Sequence, residues 1–497
     1  MALKLERFVC PGKGNGLRAN QRVLAGELLY TAEPLACCVS SQCRNVVCHS
    51  CFSRHETLLR CSQCKVARYC DVTCQGDMFS LQKRAWSIHK RECKCLLSLH
   101  PRIPTDSVRL AARIIFRLLC PSQMTPQLYS FEEHESHLCD VGEEKREGLS
   151  QLSSMLQLYL KQEQPDIIQK VPSFDPISLL AKVTCNCFTI SDAELQEIGV
   201  GLYPSMSLLN HDCRPSCVML FQGKTLQLRA IRDIQPTEEV TISYIGVLLP
   251  TRERQTQLME QYHFSCQCGL CSTAELDPLM FCGVKEAWTP MKEAIPRLEI
   301  LQTNGRILFI GIILNYVKCQ QVVRKAQRVS PNTHTHTHLL LPSHKHTHTH
   351  TQPSPQPLPM SLTKFPDWEE LLQECSSLLA PVGGAVLAVP DSNVYRLRVT
   401  DLAFDACINL ARWETALAYG LKTLGPYRQY YPDPHPAHAI QLMRVAKLQH
   451  FLVHLEDAQH TLRLAYDIMK ITHGNEHSLT SDLIRKLEEC LAEMDCK

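Results

Sequence analysis

The sequence predicts an α+β protein: a β-rich fold broken by a cysteine-rich module and a helical insert, followed by an all-α C-terminal region. Three observations predict it. Short β-type runs between glycine turns occur before residue 48 and again across 182–245. Cysteine and histidine residues at metal-ligand spacing fill 48–93. Apolar residues repeat at helical spacing through 104–169 and 367–497. A chain of 497 residues has room for roughly two to four domains of about 100–200 residues. Its formal net charge of +2 gives no general attraction to nucleic acid or acidic surfaces. The longest apolar run, 307–317, is interrupted by Asn315 and is shorter than the roughly 20 residues of a membrane span. Twenty-seven cysteines, an odd number, suit a disulfide framework poorly, and the first seven residues are charged too early for a secretory leader. A reducing compartment with thiolate metal ligands is the better expectation.

Residues 1–47 read as strands and turns around the glycine-dense Gly12-Lys13-Gly14-Asn15-Gly16. Glycines allow positive φ and close approach to a ligand, although a tight turn between two strands explains them more simply. Next, Cys48-x2-Cys51, Cys61-x2-Cys64, Cys70-x3-Cys74 and His89-x3-Cys93 supply seven sulfurs and one imidazole, the donor set of two tetrahedral zinc sites. An x2 pair reaches one metal through a tight turn, and an x3 pair lies on one helical turn. Metal should supply folding energy to this module, which has few large apolar residues. Buried free cysteines are the rival reading, and so many ligand-type residues at this spacing disfavour it.

From 104 to about 169, Val108, Leu110, Ala111, Ile114, Ile115 and Leu118, then Leu149, Leu152, Leu156 and Leu160, form two core-facing stripes with Tyr129 between them. Val183 to Ile190 reads as a strand, Gly199 to Pro204 as a turn into a strand, and Leu226–Ala230 and Glu239–Tyr244 as further strands. The polar Asn210-His211-Asp212-Cys213 follows an apolar run, Met206 to Leu209. Beyond Tyr244 comes a second cysteine group, Cys266-Gln267-Cys268-Gly269-Leu270-Cys271.

Taken together, Asn-His-x-Cys-x-Pro at 210–215, Glu-Glu-Val-Thr-Ile-Ser-Tyr at 238–244 and Cys-x-Cys-x2-Cys at 266–271 resemble the SET-domain protein-lysine methyltransferases. Arg68-Tyr69-Cys70 and Lys90-Arg91-Glu92-Cys93 resemble a MYND zinc finger. A finger inserted near the start of a SET domain resembles the SET-and-MYND (SMYD) family. The runs at 14–19, 199–205 and 472–479 carry the same resemblance. The resemblance covers about 3–300 and 365–497.

The resemblance implies a SET β-fold (1–47 and 182–245), a MYND finger (48–93), a helical SET insert (94–181), a cysteine-rich post-SET segment (246–275) and a TPR-like helical domain (276–302 and 364–497). It implies S-adenosylmethionine-dependent methylation of histone and cytosolic protein lysines. Phe188, Tyr203, Tyr244 and Tyr262 would form the lysine channel, with Tyr244 catalytic. Lys13, Gly14, Asn15, Tyr129, Asn186, Asn210, His211, Tyr244 and Phe264 would hold the methyl donor. Cys48, Cys51, Cys70 and Cys74 would share one zinc, Cys61, Cys64, His89 and Cys93 a second, and Cys213, Cys266, Cys268 and Cys271 a third. Implied partners are proline-rich peptides on the finger and a chaperone tail on the helical domain, in cytoplasm and nucleus. A monomer is expected, no membrane association, and the charge gives DNA binding no support. The rival is a catalytically weak adaptor that uses finger and helices for binding only.

Departures from the family pattern are local. Fourteen residues separate Cys74 from His89 where the family has about seven, an excess that a surface loop absorbs at small entropic cost. His137 stands for a family asparagine. Asp212 replaces the usual serine, and its carboxylate is expected to weaken donor binding by like-sign repulsion. The Thr-His alternation at 333–338 and 347–351 lies within an expected disordered insertion, 303–363. It has the form of a translated cytosine–adenine repeat and no ligand geometry. We read this tract, and Gly76 to Gln82, as normally removed sequence, a hypothesis that transcripts always reading through both would contradict. Beyond it, Ala403, Ala406, Cys407, Leu410, Trp413, Ala416, Leu417 and Tyr419 form one helical hairpin. Leu448, Leu452, Ala458, Leu462, Leu464, Ala465 and Ile468 form another.

Overall fold

A computed structural model describes residues 4–75, 84–119, 128–161, 175–306, 368–380 and 388–495. Both halves of the expected α+β architecture are present. β1 (Leu5–Cys10) and β2 (Gly14–Ala19) form a hairpin with Cys10 opposite Gly14. Its turn needs Gly12 at φ +74° and Gly14 at φ +81°, a region that L side chains avoid. β3 (Leu28–Ala32) completes a three-stranded sheet with β10 (Cys217–Gln222) and β11 (Thr225–Ala230). β4 (Ala36–Val39), β8 (Glu197–Leu202) and β7 (Cys187–Ser191) form another, in that order. β5 (Leu59–Arg60) and β6 (Arg68–Tyr69) pair inside the finger. β9 (Asn210–His211) runs parallel to β12 (Thr241–Ile242). The sheets share a core in which Leu17, Ile190, Tyr203, Leu226, Leu228 and Val240 are fully buried. Each large apolar side chain so buried is worth about 1.5–3 kcal/mol.

Two local readings are corrected. Val183 to Asn186 is helical, the end of α5 (Pro176–Asn186), and the strand begins only at Cys187. Asp175 starts this helix by accepting hydrogen bonds from the Ile177 and Ser178 amides, and Pro176 takes the first helical position. This capping and the burial of Leu179, Leu180 and Val183 outweigh the β preference of Val-Thr. Gly199 to Leu202 is strand, and the turn, a 3-10 segment (Pro204–Leu208), follows it. Gly199 is needed for close packing: a Cβ there would lie 2.6 Å from the Cys38 carbonyl oxygen and 2.7 Å from Phe52.

The finger ends in α1 (Val72–Gln75) and α2 (Arg84–Leu99), which present Cys74 and the His89–Cys93 pair. α3 (Asp106–Leu118) and α4 (Glu143–Leu160) follow, the former buried along both predicted and unpredicted positions. The unpredicted ones include Arg109 and Arg113. Both reach Glu92 of α2, which is 0% exposed. Arg113 Nη2 lies 2.5 Å and Arg109 Nε 3.3 Å from its two carboxylate oxygens. Each arginine also donates to β4, Arg109 to the Val39 carbonyl (3.1 Å) and Arg113 to that of Cys37 (2.5 Å). Burial alone would raise the Glu92 pKa, but Arg113 and Arg109 hold it well below the usual range. This buried ionic triad couples the finger to the helical insert and to the sheet.

After β12 comes α6 (Thr251–Tyr262), then the second cysteine group, whose last member lies on α7 (Gly269–Thr273), and then α8 (Asp277–Met280) and α9 (Lys285–Arg306). Residues 303–306 of the expected insertion are thus helical. The Thr-His tract and Gly76 to Gln82 lie outside the described residues. α10 (Trp368–Leu379), α11 (Val394–Asn409), α12 (Trp413–Tyr430), α13 (Pro436–Phe451), α14 (Leu455–Thr472) and α15 (Ser478–Asp495) form the C-terminal hairpins. Of the predicted stripe, Leu464 is 44% exposed and not in the core. Its neighbours Leu462 and Ala465 carry the buried face of α14. The helices return to the β-fold where Arg229 of β11 donates to the Gly26 carbonyl (2.7 Å) and packs on Gly474. Among the described residues, no helix is long and apolar enough to cross a membrane.

Removing one member of a buried ion pair leaves an uncompensated charge, at a cost of about 3–5 kcal/mol. Glu92→Gln should lower stability by that amount in chemical denaturation, with Arg109 and Arg113 left facing a neutral amide.

Candidate active site

The twelve predicted metal ligands converge into three groups: Cys48, Cys51, Cys70 and Cys74; Cys61, Cys64, His89 and Cys93; and Cys213, Cys266, Cys268 and Cys271. Within each group the ligand atoms all lie within 4.8 Å of one another. Sulfur-rich sets of four at this separation have the chemistry of structural zinc. The finger supplies its ligands from turns and the first helical turns. The third group joins the loop after β9 to the segment between α6 and α7. Two residues that the sequence did not single out support it. Arg254 is fully buried and its Nη2 lies 3.6 Å from Cys271 Sγ, placing a cation against the thiolates. Gln255 grips Cys266, accepting from its amide (2.8 Å) and donating to its carbonyl (2.7 Å). Both sit on α6, a helix made mostly of polar residues.

His211 connects this cysteine group to Tyr244. Its Nδ1 accepts from the Tyr244 amide at 3.0 Å, so the neutral ring carries its proton on Nε2, 3.3 Å from Cys213 Sγ. Both ring nitrogens are therefore engaged by the protein's own framework. Around this ring gather Tyr244 (5.3 Å between centroids) and Phe264 (5.9 Å), with Tyr262 4.8 Å from Tyr244. The Tyr244 hydroxyl donates to the Leu209 carbonyl at 2.5 Å. Burial, with Tyr262 and Glu239 adding to it, holds this phenol well above its ordinary pKa. Tyr262 is pushed up to about 12, mainly by burial, with Cys187 and Cys185 beside it. Phe188 follows Cys187 on β7, and Tyr203 backs it at 5.7 Å. Tyr203 itself is fully buried, its hydroxyl donating to the Lys224 carbonyl (2.6 Å), and forms the wall behind Phe188.

A polar cradle lies at the other end of β9. Asn210 Nδ2 donates to Glu239 (2.8 Å) and to the Asn15 carbonyl (3.3 Å). Lys13 reaches the same Glu239 at 2.8 Å. Burial would raise the Glu239 pKa, yet Lys13 and Asn210 hold it below the usual carboxylate value. Sequence reading treated Glu239 as a strand residue. Its role is visible only once the hairpin turn and β9 meet. Gly16 must stay small, because a Cβ there would lie 2.9 Å from Asn210 Nδ2. A Cβ on Gly12 or Gly14 would meet nothing within 4 Å, so open space lies over this loop. A charged loop under open space, next to aromatic faces, fits a methyl donor with both an amino-acid and an adenosyl end.

The remaining predicted residues flank this space. Tyr129 is covered by Arg7 (5.0 Å to the ring centroid), its hydroxyl donating to the Glu133 carbonyl (2.5 Å), and Arg7 also bridges Glu133 and Asn15. Asn186 donates to the carbonyls of Glu135 (3.0 Å) and Lys182 (2.8 Å), tying the insert loop to α5. His137 adopts φ +52°, pairs with Asp140 and stacks on His263 at 5.1 Å. Asp212 uses Oδ1 to accept from the Arg214 amide at 2.7 Å, a turn-capping contact that a serine hydroxyl can also make. Burial raises its pKa against that hydrogen bond.

Residues 14–245 match the model of the SET domain. The chain is 41% identical over 490 residues to the human protein named Histone-lysine N-methyltransferase SMYD3, covering 98% of each chain. The mouse protein of that name is 40% identical over 491 residues, again 98% of each. N-lysine methyltransferase SMYD2 of Gallus gallus is 31% identical over 490 residues, 98% of this chain and 97% of that one.

Two substitutions separate the third cysteine group from the finger. Cys268→Ser should reduce bound zinc from three to two per chain, by dye-release assay, and abolish turnover while the finger stays loaded. Arg254→Met should keep all ligands but release the third zinc to a chelator at about 10–100-fold lower concentration.

Proposed function

Since this chain belongs to the SMYD family and is an S-adenosylmethionine-dependent protein-lysine N-methyltransferase, we propose that Tyr244 stands at the centre of its lysine channel. Lys13, Asn15, Asn210 and Glu239 then form part of the donor cradle. The observation that carries this assignment is the His211 bridge, which puts the aromatic clip and the polar loop at opposite ends of one two-residue strand.

Lys13, Asn15, Asn210 and Glu239 would hold the donor, which would supply an electrophilic sulfonium methyl for the lysine Nζ lone pair, the carbon–sulfur bonding pair leaving with sulfur. The protein's task is to align and desolvate. Tyr262, Phe264 and Phe188 offer apolar walls that lower the lysine pKa by desolvation, favouring the neutral nucleophile. Their faces also stabilise the methylated ammonium. Tyr244 stays a neutral phenol at physiological pH, because its raised pKa keeps the proton that it shares with Leu209. Its oxygen can therefore orient the amine without competing as a nucleophile. Tyr203 positions Phe188, and His211 positions Tyr244.

The domain boundaries given above are part of the same reading, as are substrates among histone and cytosolic protein tails. So are proline-rich peptides on the finger, a chaperone tail on the helical domain, and a location in cytoplasm and nucleus. The names carried by the relatives support the substrate class.

The test is mass spectrometry of methyl transfer from labelled donor to a panel of lysine peptides. Tyr244→Phe should cut kcat by about 10²-fold or more, the scale of losing one positioned polar group at a reacting centre. Its melting temperature and zinc content should not move. A variant with the parent's kcat would remove Tyr244 from this role.

A further inference from the structure

In the C-terminal helices, away from the methyl-transfer site, a cavity of about 220 Å³ opens between α10, α11 and α12. Its polar lining comes from Arg396 and Thr400 of α11, Tyr419 and Lys422 of α12, and Ser376 of α10. Arg396 is held in place, Nε donating to Asp391 (2.9 Å) and Nη1 to the Leu379 carbonyl (3.3 Å). These contacts cap the end of α10 and fix the guanidinium at the cavity wall. Lys422 is exposed, and no acidic residue stands three or four positions from it on α12. Asp391 pairs with Arg396, and Lys422 forms no ion pair among the described residues. The hydroxyls of Ser376 and Tyr419 lie 3.4 Å apart and can each turn a proton toward the space. Thr400 donates to the Arg396 carbonyl (2.8 Å) and closes the floor.

The cavity lies on the far side of α11 from its charged ladder. On that other face Arg398 pairs with Glu299 (2.6 Å), and Asp405 takes Gln302 (2.6 Å) and Arg444. Arg398 is two residues from Arg396 and from Thr400, about half a turn of helix. Any ligand here is therefore independent of the face with that ladder.

A guanidinium with fixed direction, an ammonium with no ion-pair partner among the described residues and two hydroxyl donors around a small concavity match one chemical class. We propose that this cavity binds a tetrahedral oxyanion, a phosphoryl or sulfate group, either free or carried on a peptide side chain. The two cations would make charge-assisted hydrogen bonds to it, and the hydroxyls would satisfy its remaining oxygens.

The experiment is calorimetric titration of the full-length, zinc-loaded protein at constant ionic strength. It uses inorganic phosphate, a phosphoserine peptide and the same peptide unphosphorylated. Phosphate or the phosphopeptide should bind, and the unphosphorylated peptide should not. Lys422→Gln should weaken binding roughly tenfold, the scale of a lost hydrogen bond to a charged group, with methyl transfer and melting temperature unchanged. Tyr419→Phe should weaken it less. Binding of phosphate alone points to a free ion, and binding of the phosphopeptide alone to a modified partner; either supports the site. No binding of either, or an affinity unchanged in Lys422→Gln, overturns it.

Discussion

The ring of His211 is gripped from two sides, by the Tyr244 amide at Nδ1 and by Cys213 sulfur at Nε2, and the aromatic cluster around Tyr244 depends on that grip. One imidazole joins a two-residue parallel strand pair, an aromatic cluster and a cysteine group. The arrangement needs no long sheet, because β9 and β12 contribute only two residues each. A strand pair so short has little stability of its own. The cysteine group and the buried ring make up the deficit, so a metal held there and the placing of Tyr244 fall under one constraint.

A second constraint operates where the finger meets the helical insert. Glu92 sits on the helix that carries His89 and Cys93, and its carboxylate is shared by two arginines of α3 that also bind β4 carbonyls. The finger is therefore not a bead on a string. Its last helix is part of the core of the helical insert, where Cys61, Cys64 and Cys93 pack with Leu110, Ile114 and Leu156. Extra residues between Cys74 and His89 enter ahead of this anchored helix, and the ligand positions still come together.

The site itself divides into a charged half and an aromatic half, with Asn210 and His211 as the seam. Adjacent residues on a strand point to opposite faces. Asn210 accordingly faces the Lys13–Glu239 side, and His211 faces Tyr244 and Cys213. The C-terminal helices add a third layer, docked through Arg229 on Gly474, where a side chain larger than hydrogen would collide with the guanidinium.

Sequence alone determined the residues whose chemistry is declared by spacing. Cysteines at x2 and x3 and the helical stripes of 403–419 follow from local geometry, which is written in neighbours, while the Asn-His-x-Cys run and the aromatic positions took their meaning from the family resemblance. Tertiary structure alone decided what depends on distant partners. Glu239 became a cradle residue only when the hairpin turn met β9, and Arg254 an inner support only when a polar helix was buried against cysteine sulfur. Val183 to Asn186 became helix through the Asp175 cap and buried leucines. Above all, the partners of the His211 ring were decided by folding. A hydrogen-bond partner 33 residues away cannot be read from the residue itself; folding alone determines which polar groups lose water together.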